Sequence, residues 1–302
     1  MRAVIRAGDQ PGRIGFDDVD EPVPAPDEAV IAVRAFSVNR GELSLLEIRP
    51  DGWRPGQDVA GEIVVAAADG SGPPVGARVV ARADQAGWAE RVAVPTDRIA
   101  VLPDAVSFEQ AATLPIAGLT ALRSLRMGGP LLGNRVMVTG AGGGVGRFAV
   151  ELAVDAGARV TAVGHPADEL RALGAAEVVP EVEAVEAGLA LVVDAVGGPV
   201  LTASVKRCRP GGTVVLVGAV TQEPATLRLW DFGGHGVSIT SFFSAMTGAR
   251  DDEDLGTLVG LIAEGRLHPH ISHLADWSEL AETLDLLRNR KLGGGKAVLT
   301  IS

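Results

Sequence analysis

Five glycines fall within seven residues, at 140, 142, 143, 144 and 146, and their flanks restrict the local fold more than any other feature of the chain. Before them, the apolar run Val136 to Val138 reads as a buried parallel strand. After them, Val145, Phe148, Ala149, Leu152, Ala153 and Ala156 recur at helical spacing, so one face of the segment is apolar. Gly157 closes that helix, and Arg159 to Val163 reads as a second strand. Strand, glycine turn, helix and strand form a nucleotide-binding unit. Its glycines let backbone N–H groups approach a pyrophosphate at a helix N-terminus, where the dipole favours anions. The spacing departs from G-x-G-x-x-G, because Val145 and Arg147 stand where a third glycine would fall; glycine fits instead at 140, 143 and 146. A glycine cluster alone is weak evidence, and here the flanking strand and helix carry the reading.

Composition narrows the partners. A formal charge of −11 argues against nucleic acid or an anionic membrane as the main partner. Cys208 is the only cysteine, which leaves neither a disulfide nor a cysteine cluster for structural zinc. Gly, Pro or charge interrupts every apolar run before membrane length, and the N-terminus carries no targeting pattern, so a cytoplasmic location is expected. With 302 residues the chain has room for two domains.

Three textures follow one another. Up to about residue 105, short strand-like runs at 3–5, 29–35, 60–66, 77–81 and 91–94 are separated by turn formers, a pattern of a compact β domain. From about 110 to 242, strand candidates at 136–139, 160–163, 177–179, 190–193, 213–217 and 237–240 alternate with helices, which predicts a parallel sheet wrapped by helices. In the last sixty residues, Asp276-Trp-Ser-Glu279 reads as a capping box opening a helix with Leu280, Leu284 and Leu287 inward, and 296–301 reads as a closing strand.

These pieces carry a resemblance. Ser37-Val-Asn-Arg-Gly-Glu-Leu43, Pro55-Gly-Gln-Asp-Val-Ala-Gly-Glu-Ile63, Val75-Gly-Ala-Arg-Val-Val80, Gly87-Trp-Ala-Glu-Arg-Val92, Ala112 to Ala121, the glycine turn, Asp194-Ala-Val-Gly-Gly198 and Gly293-Gly-Gly-Lys296 occur in the order found in one family. The chain resembles a zinc-independent medium-chain dehydrogenase/reductase of the quinone oxidoreductase (zeta-crystallin-like) branch. The resemblance implies an α/β protein: a GroES-like, β-rich catalytic domain from residues 1–110 and 243–302, and a Rossmann doubly wound parallel-sheet domain from 111–242 that binds NAD(P). It implies reduction of quinones or α,β-unsaturated carbonyls, with enoyl reduction in a biosynthetic pathway, or NADPH binding with weak catalysis, as alternatives. The partners expected are a small carbonyl or quinone substrate and a second copy of the chain, paired through the edge strand 237–242.

A catalytic zinc needs about three protein ligands among Cys, His and carboxylates. Zinc-using relatives carry Cys in the loop that here reads Asn39-Arg-Gly-Glu42, and His-Glu where this chain has Gln57-Asp58. No metal is therefore expected, and His268, His270 and His273 read as a loop of solvated histidines. The chain contains no tyrosine, so no tyrosine acts as a general acid. A proton for an enolate comes from water, a cofactor hydroxyl or another side chain. Arg40 and Glu42 are candidates by position, with solvated surface charge as the competing reading of both.

An NAD-preferring site places an acid at the tip of the second strand to bind the ribose 2′-hydroxyl. Here Gly164-His165-Pro166 follows Val163, and no carboxylate appears before Asp168. NADPH is favoured, with NADH also accepted, and an acid at Gly164 is expected to shift the preference toward NADH. His165 reads equally as a phosphate donor or a turn residue.

The resemblance assigns the remaining candidates. Asn39 lies beside substrate and nicotinamide. Thr120, Gly143, Gly144, Val145, Val196, Val217 and Gly218 approach the cofactor, as does the backbone of Phe242 or Phe243. Lys296 either reaches the cofactor's phosphate end or is solvated, and Trp53 either walls the substrate pocket or is buried under a loop.

Overall fold

The computed structural model describes residues 1–233, 236–243 and 250–301. The chain divides into two compact units: Met1–Leu119 with Gly248–Ser302, and Thr120–Thr247.

The second unit is built on one six-stranded sheet. Its strands, in spatial order, are Glu177–Val179, Arg159–Val163, Arg135–Thr139, Leu189–Asp194, Cys208–Leu216 and Ser238–Ser241. Every neighbouring pair is parallel. Leu189–Asp194 is buried along its whole length, as expected of a strand covered on both faces. Helices Gly144–Asp155, Ala167–Ala172 and Gly198–Val205 connect the strands. The helix after the glycine turn buries Phe148, Ala149, Leu152 and Ala153 of the face that its spacing predicted, whereas Val145 is half-buried, Ala156 is exposed, and Val150 is buried outside that face. Chain order reverses direction between Arg135–Thr139 and Leu189–Asp194. Ligands of doubly wound sheets bind outside the C-terminal ends of the strands at such a switch.

The first unit carries a seven-stranded sheet in which Glu28–Val38 pairs with Asp58–Val65, Arg91–Pro95 and Lys296–Thr300. All pairings are antiparallel except that of Ile271–Asp276 with Lys296–Thr300. A separate hairpin joins Arg2–Arg6 and Ile14–Asp18. Its core includes Phe36 stacked on Trp88 with ring centroids 5.8 Å apart, and Trp277 edge-on to Phe16 at 5.0 Å. Asp276 caps a short 3₁₀ turn through the Ser278 N–H at 2.9 Å; the α-helix starts one turn later, at Leu280. Leu280 and Leu284 are buried, and Leu287 packs against the same core.

The reading of three solvated histidines is corrected for His273. It lies on a half-buried strand with Nε2 3.0 Å from Thr283 Oγ1.

Candidate functional site

At the switch of the parallel sheet, the glycines differ in what they permit. A Cβ on Gly142 would lie 1.9 Å from the His165 carbonyl oxygen, and one on Gly146 would lie 2.3 Å from the Gly140 carbonyl oxygen. These two positions hold the turn against the second strand and the first strand's end. Gly143 is different: it is exposed, has φ −78°, and a Cβ would meet only the Gly140 oxygen at 3.3 Å. Its missing side chain leaves the backbone open at the N-cap of a twelve-residue helix.

The first N–H groups of a helix have no partner within it. Those of Gly144, Val145 and Gly146 occupy this position; Arg147 N–H is the next along the chain and reaches the Gly143 oxygen at 3.0 Å. Unpaired donors, an open glycine and the positive end of the dipole fit a pyrophosphate.

Across the switch, Asp194 closes the next strand. Its Oδ1 accepts from Thr139 Oγ1 at 2.6 Å, Val196 N–H at 2.9 Å and Gly197 N–H at 3.2 Å, while its buried Oδ2 has no partner among the described residues. This ties Val196 to the glycine strand, and a Cβ on Gly140 would touch the Val196 side chain at 3.4 Å. Gly218 packs closely as well: a Cβ there would lie 2.8 Å from the Ala195 oxygen. Val217 N–H donates to the Asp194 carbonyl at 2.8 Å, and Phe242 N–H to that of Leu216 at 2.9 Å. The structure therefore brings Gly143, Gly144, Val145, Val196, Val217 and Gly218 to one edge of the sheet. Phe242 lies at the end of the neighbouring edge strand, half-buried, and Phe243 is 63% exposed. Thr120 is buried. His165 is exposed beyond the tip of the second strand.

Gly164 has φ +148°, a region that strains any L side chain. The carboxylate exchange expected at Gly164 would disturb the backbone there and is better placed at exposed His165.

In the first unit, the loop-bearing residues form a buried polar cluster. Asp58, fully buried, accepts from Ser37 Oγ at 2.5 Å, Asn39 Nδ2 at 2.8 Å, Ile116 N–H at 2.8 Å and Lys296 Nζ at 3.1 Å. Ile116 lies in a single π-helical turn, Leu114–Gly118, a rare form that is frequent at functional sites. Lys296 also donates to the Asn39 Oδ1 and to the Val38 carbonyl at 3.2 Å.

Both earlier readings of Lys296 need correction. It is 4% exposed, hence not solvated, and three acceptors of its own unit already surround the ammonium. Reaching a phosphate would strand Asp58 as an unpaired buried charge.

Glu42 is corrected too. It is fully buried, and its carboxyl accepts the main-chain N–H of Asn39 at 2.8 Å and of Gln57 at 3.0 Å. Burial, and next the charge of Asp58, push it up to about 8, against the two N–H donors and Lys296. Arg40, by contrast, is exposed by surface area, and partial burial followed by the charge of Arg290 lowers its pKa. Trp53 packs against the core of the first unit and donates Nε1 to Gln85 Oε1 at 2.8 Å, so it is anchored as well as half-buried.

The comparisons with known proteins bear on this arrangement. Residues 144–264 match a family model described as zinc-binding dehydrogenase. The quinone oxidoreductase from Coxiella burnetii superposes with a TM-score of 0.87 at 26% identity, covering 100% of this chain and 99% of that one. The chain is similar to members of the medium-chain dehydrogenase/reductase family.

Within that family, a chloroplast envelope quinone oxidoreductase homolog of Arabidopsis thaliana is 35% identical over 55% of this chain and 57% of its own length. The spectinabilin polyketide synthase system protein NorB of Streptomyces orinoci is 35% identical over 81% of this chain, which spans only 12% of NorB. The chain therefore spans less than two thirds of either relative. The acryloyl-coenzyme A reductase of Metallosphaera sedula is 28% identical across 99% of this chain and 100% of that protein.

The sequence reading gave no role to Asp58 or Asp194, and it placed Lys296 elsewhere. Asp58 and Lys296 are 238 positions apart, so nothing local links them. A signal was present all the same: each opens a strand whose following residues are apolar and buried, where an ionised side chain demands a partner.

Proposed function

We propose that this chain is an NADPH-dependent oxidoreductase of the medium-chain dehydrogenase/reductase family that reduces quinones or α,β-unsaturated carbonyls by hydride transfer without zinc. The observation that carries the proposal is the open Gly143 at a helix N-terminus on the topological switch of a parallel sheet. When bound, the nicotinamide supplies the hydride. Gly143, Gly144 and Val145 hold the pyrophosphate, Val196, Val217, Gly218, Phe242 and Thr120 line the approach to it, and Asn39 positions the substrate. The deciding measurement is NADPH oxidation screened against quinones, enones and enoyl thioesters. NADPH binding without turnover of any acceptor would move the reading to a non-catalytic cofactor-binding role.

A second reading, enoyl-thioester reduction within a biosynthetic pathway, is favoured by the likeness to a polyketide synthase system protein and an acryloyl-coenzyme A reductase. The same screen separates the two through the preferred acceptor.

Zinc independence is supported by the ligand chemistry: Asp58, where zinc-using relatives carry a ligand-bearing motif, takes the Lys296 ammonium. Elemental analysis should find no stoichiometric zinc, and a chelator should leave activity unchanged. About one zinc per chain would overturn this part.

NADPH should be preferred over NADH by about tenfold, which is about 1.4 kcal/mol, because no carboxylate stands at the tip of the second strand. His165→Asp puts one there on an exposed residue and should move the ratio of kcat/KM values toward NADH. A wild type that already favours NADH would refute the assignment.

Among the described residues, the strand Ser238–Ser241 pairs on one side only, with Cys208–Leu216. An unpaired edge invites a second copy, so a two-fold dimer is expected by light scattering at micromolar concentration. No helix among the described residues is long and apolar enough to cross a membrane, and a cytoplasmic site of action fits the proposal.

A further inference from the structure

The proposed function gives Asn39 to the substrate; the cluster behind it decides which face of its amide the substrate meets. Oxygen and nitrogen of an asparagine amide are ordinarily interchangeable in shape, and only partners tell them apart. Here the partners leave no choice. An ammonium only donates, so the amide oxygen must face Lys296 Nζ. A carboxylate only accepts, so the amide nitrogen must face Asp58 Oδ2, at 2.8 Å.

Both charged groups are themselves held. Lys296 has three N–H donors and three acceptors: Asn39 Oδ1, Val38 O and Asp58 Oδ2. Asp58 receives four donors, from Ser37, Asn39, Ile116 and Lys296. Asn39 is fixed from behind as well, since its main-chain N–H is bound by buried Glu42. Asn39 Nδ2 carries two hydrogens, and one is committed to Asp58. The other has no acceptor among the described residues, and Asn39 is only half-buried.

We propose that Lys296 and Asp58 are positioning residues that lock the Asn39 amide so that its second Nδ2–H is presented as a hydrogen-bond donor to the substrate's carbonyl oxygen. The inference rests on the oxidoreductase reading above and gives that site a directed donor. When the β-carbon of an enone accepts a hydride, the C=C electron pair shifts and charge builds on the carbonyl oxygen. The α-carbon then takes a proton from water, which leaves the saturated carbonyl compound and the oxidised cofactor. A donor already aimed at that oxygen stabilises the charge without reorganising. The arrangement also explains why an ion pair is buried here: the pair imposes a polarity on a neutral side chain between its two charges.

Two measurements test the proposal. The first is the Asn39 side-chain amide signal in a ¹⁵N spectrum, assigned by its loss in Asn39→Ala. The locked amide should give two slowly exchanging protons at shifts away from those of an unstructured peptide, and Lys296→Met should move them toward the unstructured positions and speed their exchange with solvent. The second is a kinetic cycle with an enone acceptor. Asn39→Ala and Lys296→Met should each lower kcat about 100-fold, the scale of one lost oxyanion donor. The double variant should lose no more than either alone.

A Lys296→Met effect on kcat that persists undiminished in the Asn39→Ala background would overturn the proposal, as would an amide signal unmoved by Lys296→Met. If Lys296→Met does not fold, Lys296→Gln with Asp58→Asn carries the same comparison with neutral side chains of similar size. If the wild type turns over no acceptor, the oxidoreductase reading fails; the amide signal still decides whether Lys296 fixes Asn39.

Discussion

Gly143→Asp should weaken NADPH binding by about 100-fold or more, the scale of losing several charge-assisted N–H contacts of about 1.5–3 kcal/mol each. The fold should survive. Gly143 has φ −78°, which any residue adopts, and a Cβ meets only the Gly140 oxygen at 3.3 Å. The new carboxylate would take the position at the helix N-terminus that the pyrophosphate needs, and two anions repel. Titration calorimetry gives the affinity and thermal unfolding gives the control. Gly146→Ala offers the contrast: its Cβ would be driven to 2.3 Å from the Gly140 oxygen, so the folded unit itself should suffer. Unchanged NADPH affinity in Gly143→Asp would remove this turn from the cofactor site.

Glu42→Gln should remove a pH dependence from the stability of the first unit. In the folded protein the carboxyl is pushed up to about 8 by burial and by Asp58, while in the unfolded chain it returns to its ordinary value of 4.5. The sign follows from proton counting. Between these two values the folded state holds the proton and the unfolded state releases it, so stability falls as pH rises. Below about 4.5 this contribution is fully present, and above about 8 it is gone. Its size is on the order of 5 kcal/mol. The amide variant keeps the shape, cannot ionise, and should show a flatter unfolding free energy between pH 5 and 8. Chemical denaturation across that range makes the comparison. A wild-type curve that rises steadily over the window would contradict the assignment.

Much of the parallel sheet was legible because its signals are local. Three of its strands, Arg135–Thr139, Arg159–Val163 and Leu189–Asp194, are mostly apolar runs, and the helix after the glycines announces Phe148, Ala149, Leu152 and Ala153 as buried by their spacing. Val196 and Val217 at the strand tips were named through the family resemblance, and the strands before them were legible locally. The first unit was less legible, and its charged residues explain why. Glu42 looks like a helix-surface acid by its neighbours Gly41 and Ser44, yet a loop 15 positions away, at Gln57, comes over it. Lys296 follows three glycines and looks solvated until the strand Glu28–Val38 is laid beside it. The strand Ile271–Asp276 escaped notice because Ser272, His273 and Asp276 break the apolar run, and its stability comes from the parallel neighbour Lys296–Thr300. Pairing across long stretches of chain, where partners are chosen by charge, leaves almost no trace in a local window.

The placement of the strand Lys296–Thr300 between Ile271–Asp276 and Glu28–Val38 sets an order of events during synthesis. The sheet of the second unit has all six strands once Ser241 has emerged from the ribosome. The first unit, though its synthesis begins earlier, must wait. Until Lys296 arrives, Asp58 has no ammonium, Asn39 Oδ1 lacks its donor, and residues 35–38 of the strand Glu28–Val38 lack the partner that Ala297–Thr300 supplies. The segment translated first therefore finishes folding last, and the nascent chain carries an open sheet edge until its final strand is delivered.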